Sequence, residues 1–148
     1  MEVQPDYREL LALLNEHGVE YMIVGGYALA YHGAPRYTAD LDVFVKPDPE
    51  NSRRIIEALN AFGFEAAGLT PEDFRAPEKV VQLGVPPVRV DILTSLTGVS
   101  WEEAFSGRTE ATYGDVPVYF IGRAHLVANK RALGRKRDFA DIEALGEE

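Results

Sequence analysis

Two aspartates one residue apart, Asp40 and Asp42, follow the pair Gly25-Gly26 after thirteen residues, and a third, Asp91, interrupts a later apolar run. Side chains two apart on a strand leave the same face. Asp40 and Asp42 therefore present parallel carboxylates, while Leu41, Val43 and Val45 leave the other face for a core. Carboxylates held side by side repel and raise each other's pKa. A divalent cation removes that cost, and acids that share a cation with substrate phosphates are the usual protein seat for Mg²⁺. Asp91 lies in Val88-Arg89-Val90-Asp91-Ile92-Leu93, on the face opposite Val90 and Ile92. If that strand neighbours 40–46, three carboxylates converge. That is the donor set of a two-metal site about 3.5–4 Å wide, which activates an attacking hydroxyl and stabilises a leaving pyrophosphate.

The glycines have their own reason. Between a strand and a helix they let the backbone bend sharply and approach a ligand closely. The helix that follows offers unpaired N–H groups and the positive end of its dipole, a seat for phosphate. Each piece alone is weak. With 9 aspartates in 148 positions, chance places roughly 0.5 Asp-x-Asp pairs in such a chain, so the pair draws its meaning from the glycine turn before it. The competing reading makes Gly25-Gly26 a plain turn, Asp40 and Asp42 the solvated face of an edge strand, and Asp91 a partner of Arg89. The histidines, His17, His32 and His125, stand at no metal-ligand spacing. His32, at the end of the helix after the glycines, reads as structural.

The surrounding pattern supplies elements to position these groups. Asp6 and Glu9 have capping-box spacing ahead of Leu10, Leu11, Leu13 and Leu14, which predicts a helix over 6–17 stopped by Gly18. Tyr21-Met22-Ile23-Val24 reads as a buried strand and 27–32 as a short helix, followed by a loop at Ala34-Pro35-Arg36. Residues 40–46 alternate as a strand, and Asp48 caps a helix over 49–62 with Gly63 as its stop. A short helix starts at Thr70-Pro71. Strands at 79–83 and 88–93 flank a turn at 84–87, and 109–113 and 116–121 form a hairpin around Gly114-Asp115. From Gly122 the pattern is helical with a break at Gly134, a C-terminal helical hairpin. Helices and strands mixed in this order predict an α/β or α+β fold, a small mixed sheet with helices packed on it.

Composition bounds the rest. A chain of 148 residues suits one domain over 1–148. Its net charge of −9 argues against general binding of duplex DNA, which takes many cations. With no cysteine, thiol catalysis and Cys-ligated metals are excluded. The longest apolar stretch, 21–31, is far short of a membrane span. The acidic, polar start does not suit a signal peptide, so a cytoplasmic protein is expected. Six of the fifteen basic residues fall between Arg123 and Arg137, a concentration that could face a polyanion. Leu126, Leu133, Phe139, Ile142 and Leu145 are expected to pack that hairpin on the sheet, and Arg137 to pair with Asp141 on its outer face.

The segment Gly25-Gly26-Tyr27-Ala28-Leu29-Ala30-Tyr31-His32-Gly33-Ala34-Pro35-Arg36-Tyr37-Thr38-Ala39-Asp40-Leu41-Asp42 resembles the DNA polymerase β-like nucleotidyltransferase superfamily. Within it, the small prokaryotic AbiEii-type and related minimal nucleotidyltransferases are most similar. The resemblance covers 21–46 well, 88–94 adequately, and reaches 126–145, while 47–85 match nothing. It implies a nucleotidyltransferase-like fold and transfer of a nucleoside monophosphate from an NTP to an acceptor hydroxyl on a protein, a tRNA or a small molecule. It implies two Mg²⁺ ions, or Mn²⁺, on Asp40, Asp42 and Asp91, with Gly25 and Gly26 cradling the β/γ phosphates. Arg36 and Thr38 match an Arg-x-Thr/Ser-x-Asp segment and would grip phosphate. Lys130 and Asp138 match a C-terminal Lys…Arg-Asp-x-x-Asp-Leu pattern, with Ile142 where leucine is usual. Lys130 would contact the triphosphate. The resemblance also implies a toxin–antitoxin setting with a cognate partner protein. The alternative is a catalytically silent nucleotide-binding or antitoxin-like module.

Overall fold

Tyr7, Leu10, Leu11 and Leu14 stand at three- and four-residue spacing and are all buried on one face of the first helix, α1 (Pro5–Glu16). The helix begins earlier than the capping-box spacing predicts. Pro5 takes the first turn, and the Gln4 side chain accepts from the Asp6 N–H at 2.6 Å. In the computed structural model, which describes residues 2–85 and 87–147, the elements that follow are β1 (Tyr21–Val24), α2 (Gly25–Tyr31), β2 (Asp40–Val45) and α3 (Pro49–Phe62). After two 3₁₀ turns come β3 (Val80–Val85), β4 (Val88–Leu93), α4 (Trp101–Ser106), β5 (Thr109–Tyr113), β6 (Val116–Phe120), α5 (Arg123–Leu133) and α6 (Lys136–Ala144). The expected turn at 84–87 falls on residue 86, outside the described residues, and Gly84 belongs to β3.

The six strands form one mixed sheet in the order β3-β4-β2-β1-β6-β5. β1 runs antiparallel to β2 and parallel to β6; β2 runs parallel to β4. β3 with β4 and β5 with β6 are the antiparallel hairpins. The expected small mixed sheet with packed helices is the observed α+β architecture.

The order follows burial. All four residues of β1 are buried, which suits a central strand with helices on it. Each fully buried side chain of this size contributes about 1.5–3 kcal/mol. α1 is also tied to the sheet by the Tyr7 hydroxyl, which donates to the Arg89 carbonyl at 2.8 Å. Asp48 caps α3 by accepting from the Asn51 N–H at 2.7 Å, and Gly63 ends it in the left-handed region, as the sequence predicts.

The C-terminal hairpin departs from its predicted packing. Leu126, Ile142 and Leu145 are buried, but Leu133 is 36 % and Phe139 54 % exposed. The face of α6 turned inward instead carries Asp138 and Asp141, both buried. Ion pairing to Lys130 explains how an acidic face can be the inner one.

Candidate active site

The register of three strands brings the acids together. Val24, the last residue of β1, stands opposite Asp42 of β2, and Asp42 stands opposite Asp91 of β4. One carboxylate oxygen from each of Asp40, Asp42 and Asp91 lies within 4.8 Å of the others, and no other such acid cluster occurs among the described residues. The condition set on sequence grounds, that the Asp91 strand neighbour the Asp40 strand, is met. The competing partner is present as well. Arg89 Nε lies 3.3 Å from Asp91 Oδ1 and 3.7 Å from Asp40 Oδ1. Arg89 is thus a countercharge to two acids of the cluster, a role the sequence suggested only for Asp91.

Asp42 carries the strain of this crowding. Burial comes first, then the charges of Asp91 and Asp40, and together they push its pKa up to about 7; Lys130 and Arg89 pull the other way. A buried carboxyl held so far above its ordinary value is short of countercharge, which Lys130 and Arg89 supply only in part. Three carboxylates with an all-oxygen donor set fit a hard cation such as Mg²⁺.

The glycines face this cluster for a reason beyond their backbone freedom. Gly25 has a φ of +65°, and a β-carbon there would overlap the Asp42 carboxylate. A β-carbon on Gly26 would lie 2.5 Å from Thr38 Oγ1 and 2.8 Å from Thr38 Cβ. The two glycines leave room for the side chains of β2 and the segment before it. α2 also begins at Gly25, two residues earlier than predicted, so both glycines belong to its first turn. Gly25→Ala is expected to lower stability by about 1–2 kcal/mol for the left-handed backbone alone, and further for the carboxylate contact. A thermal denaturation curve unchanged by Gly25→Ala would refute this account of the turn.

A cavity of about 430 Å³ opens over the cluster, walled by Gly25, Gly26, Arg36, Thr38, Lys130 and Arg135 as well as the three acids. Gly25, Gly26, Arg36, Thr38, Lys130 and the three acids, all singled out in the sequence, line it, while Asp138, matched to the same C-terminal pattern as Lys130, is fully buried and does not. A larger concavity, about 700 Å³ between Gly18, Glu110 and Tyr119, gathers no acid cluster, so volume does not choose the site. Thr38 Oγ1 donates to the Asp40 carbonyl at 3.2 Å and fixes the entry to β2.

The cationic wall is an ion network. Lys130 is only 5 % exposed, and its Nζ lies 3.0 Å from Asp141 Oδ2 and 3.6 Å from Asp138 Oδ1. Asp138 accepts from Arg135 Nε at 2.6 Å and Nη2 at 3.1 Å; with these hydrogen bonds Arg135 holds its carboxyl below the usual carboxylate range. Asp141 pairs with Arg36 at 3.3 Å, not with Arg137. Its Oδ2 makes no aligned hydrogen bond and is held by the two cations alone. The Arg36–Asp141 pair joins the segment before β2 to α6 across 105 residues of sequence, and no local spacing could reveal it. His32 is placed structurally, its Nε2 2.7 Å from the Ile121 carbonyl.

Comparison with known proteins gives a family and a fold. The sequence pattern of the family described as Nucleotidyl transferase AbiEii toxin, Type IV TA system, matches residues 10–111. No curated protein matches the chain in sequence. Among solved structures, TM1012 of Thermotoga maritima, described as a nucleotidyltransferase, is similar with a TM-score of 0.64 at 13 % identity, over 96 % of this chain and 93 % of that one. The lincosamide antibiotic adenylyltransferase LnuA, solved with lincomycin bound, is similar with a TM-score of 0.53 at 14 % identity, over 97 % and 96 %. An antigenic nucleotidyltransferase-like protein of Paracoccidioides brasiliensis gives 0.57 at 17 %, over 94 % and 72 %. At these identities the likeness is one of fold.

Proposed function

The chain belongs to the AbiEii nucleotidyl transferase family, and from that premise we propose that it is one minimal catalytic domain moving a nucleoside monophosphate from an NTP to an acceptor hydroxyl. It is a nucleotidyltransferase; the metal, the site roles and the acceptor are our reading. The observation that carries them is the convergence of Asp40, Asp42 and Asp91 within 4.8 Å beside the glycine turn. These three would hold Mg²⁺, as two ions, and the same oxygen donors suit Mn²⁺. Bound there, such cations would favour the ionised acceptor oxygen and offset charge on the departing pyrophosphate.

The chain's own residues do the rest. Gly25 and Gly26 bring backbone close to the β/γ phosphates. Arg36, whose side chain is 44 % exposed and is oriented by Asp141 at 3.3 Å, grips a phosphate oxygen, and the Thr38 hydroxyl donates beside it. Lys130 sets positive charge behind the triphosphate. Asp91 accepts the proton of the acceptor hydroxyl. The new bond joins the acceptor oxygen to the α-phosphorus, the bond from that phosphorus to the bridging oxygen breaks, and pyrophosphate leaves.

The family description names a toxin of a toxin–antitoxin system. We read this chain as the enzyme of such a pair, acting in the cytoplasm with a cognate partner protein. No helix among the described residues is long and apolar enough to cross a membrane. The acceptor hydroxyl belongs to a protein, a tRNA or a small molecule.

Label transfer tests the reading. The protein is incubated with each α-³²P-NTP and Mg²⁺, with and without lysate and total tRNA. Label on a protein or RNA band, lost when Mg²⁺ is chelated, is the expected result and identifies the acceptor class. Mg²⁺-dependent NTP binding with neither label nor pyrophosphate release in any mixture would make the chain a silent binding module.

A further inference from the structure

β3 is the outermost strand on the side of the acid cluster, and among the described residues only β4 pairs with it. Its free edge can be assigned residue by residue. The Thr94 N–H donates to the Lys79 carbonyl at 3.0 Å, so Lys79 and Thr94 form a hydrogen-bonded rung next to the Val80–Leu93 pair. Such rungs alternate along an antiparallel ladder. Val81, Leu83 and Val85 therefore turn their backbone groups to β4. Val80 and Gln82 turn theirs outward, while Gly84, at a φ of +78°, leaves the extended geometry on which this alternation rests.

Exposed sheet edges are normally guarded by charges, prolines or bulges, because they template pairing with another chain. β3 reads Val80-Val81-Gln82-Leu83-Gly84-Val85, with no charge and no proline, and its one irregularity is Gly84 at a φ of +78°. Val80 is 60 % and Val85 75 % exposed. The other edge of the sheet, β5, carries the exposed Glu110.

We propose that β3 pairs antiparallel with β3 of a second copy of this chain, about a two-fold axis through Gln82, so that two sheets become one. A two-fold interface sets each surface against its own image. On a chain of net charge −9, most surfaces meet that condition with like charges opposed, and β5 would place Glu110 near its copy. β3 is neutral and meets it without conflict.

The register follows from the free edge. With the axis at Gln82, that residue faces Gln82 of the partner subunit, and Val80 faces Gly84 of the partner subunit. Gln82 turns both its N–H and its C=O outward, so the pair on the axis can exchange two bonds. The same pairing keeps even-numbered side chains on the acid-bearing face in both copies. An axis between Gln82 and Leu83 would set an outward residue against an inward one and leave its groups unbonded. Joined in this way, both acid clusters open on one face, with the two β4 strands three strand spacings, about 14 Å, apart.

The chain has no cysteine, so Gln82→Cys introduces a single thiol on the axis. Facing Cα atoms of a hydrogen-bonded antiparallel pair lie about 5.5 Å apart, inside the disulfide range of about 4.4–6.8 Å. Mild oxidation is expected to link Gln82→Cys into a covalent dimer while Glu110→Cys, on the opposite edge, stays unlinked. Light scattering on the unmodified chain, from low micromolar upward, is expected to show the mass doubling from 16.4 kDa. Gln82→Lys, folded by circular dichroism, is expected to remain monomeric. A monomer at all concentrations overturns the proposal. So does a dimer that survives Gln82→Lys and leaves Gln82→Cys unlinked, since it must use another face.

Discussion

Asp42→Asn is expected to abolish nucleotidyl transfer, by about 10³-fold or more, and at the same time to raise the melting temperature of the metal-free protein at pH 8. Both effects come from one carboxylate. Asn keeps the shape and removes the charge that the acid cluster concentrates. In the unfolded chain Asp42 has its ordinary value of 3.8, and in the folded chain it is raised to about 7 by burial and by Asp91 and Asp40. Between those values the folded state keeps a proton that the unfolded state has released. Stability from this group is therefore lost as pH rises from about 4 to about 7, and the full penalty, a few kcal/mol, is present above that. Asn carries no such penalty. For a chain of this size, each kcal/mol moves the melting temperature by about 2–4 °C. The gain of Asp42→Asn over the native protein should shrink at pH 5, and Mg²⁺ should reverse the order by stabilising only the native protein. A melting temperature for Asp42→Asn at or below native at pH 8 in chelator would contradict the crowding argument.

The second large effect is expected at Lys130. Lys130→Met removes the cation shared by two buried aspartates. Breaking a buried pair from one side costs about 3–5 kcal/mol, because the remaining charge stays buried. The lower end applies, since Arg135 still holds Asp138 and Arg36 still reaches Asp141. Urea denaturation reads the loss. Asp141→Asn added to Lys130→Met should recover part of it by removing the orphaned charge, while nucleotidyl transfer should stay low in both variants. Recovery of transfer together with stability would make Lys130 a structural residue only. An unchanged urea midpoint for Lys130→Met would contradict the buried network itself.

The acid cluster was legible because it is written in alternation. Period-two patterning put Asp40 and Asp42 on one face and Asp91 opposite Val90 and Ile92, and the only further requirement was that β2 and β4 be neighbours. The pairing itself was not legible, because β2 and β4 are parallel and joined through α3 and β3, and no turn residue fixes such a register. The glycine pair was read as room for a ligand. The structure adds that it is room for Asp42 and Thr38, a contact across elements that strand and turn signals do not carry. The tail is the least legible part. Asp138 and Asp141 look like a solvated helical face when only i,i+4 neighbours are considered. Their burial depends on Lys130 and Arg36, partners from another helix and from the opposite end of the chain. Leu133 and Phe139 were placed inside by their hydrophobicity and lie outside because those charged groups occupy the inner face.

The Arg36–Asp141 and Lys130–Asp138 pairs also set an order of assembly. Strands β1, β2 and β4, with all three acids, leave the ribosome well before α6. The wall that holds Lys130 and orients Arg36 closes only when α6 docks. Until α6 is made, a chain under synthesis holds the three acids and Arg89 but lacks the two aspartates that hold Lys130 and orient Arg36.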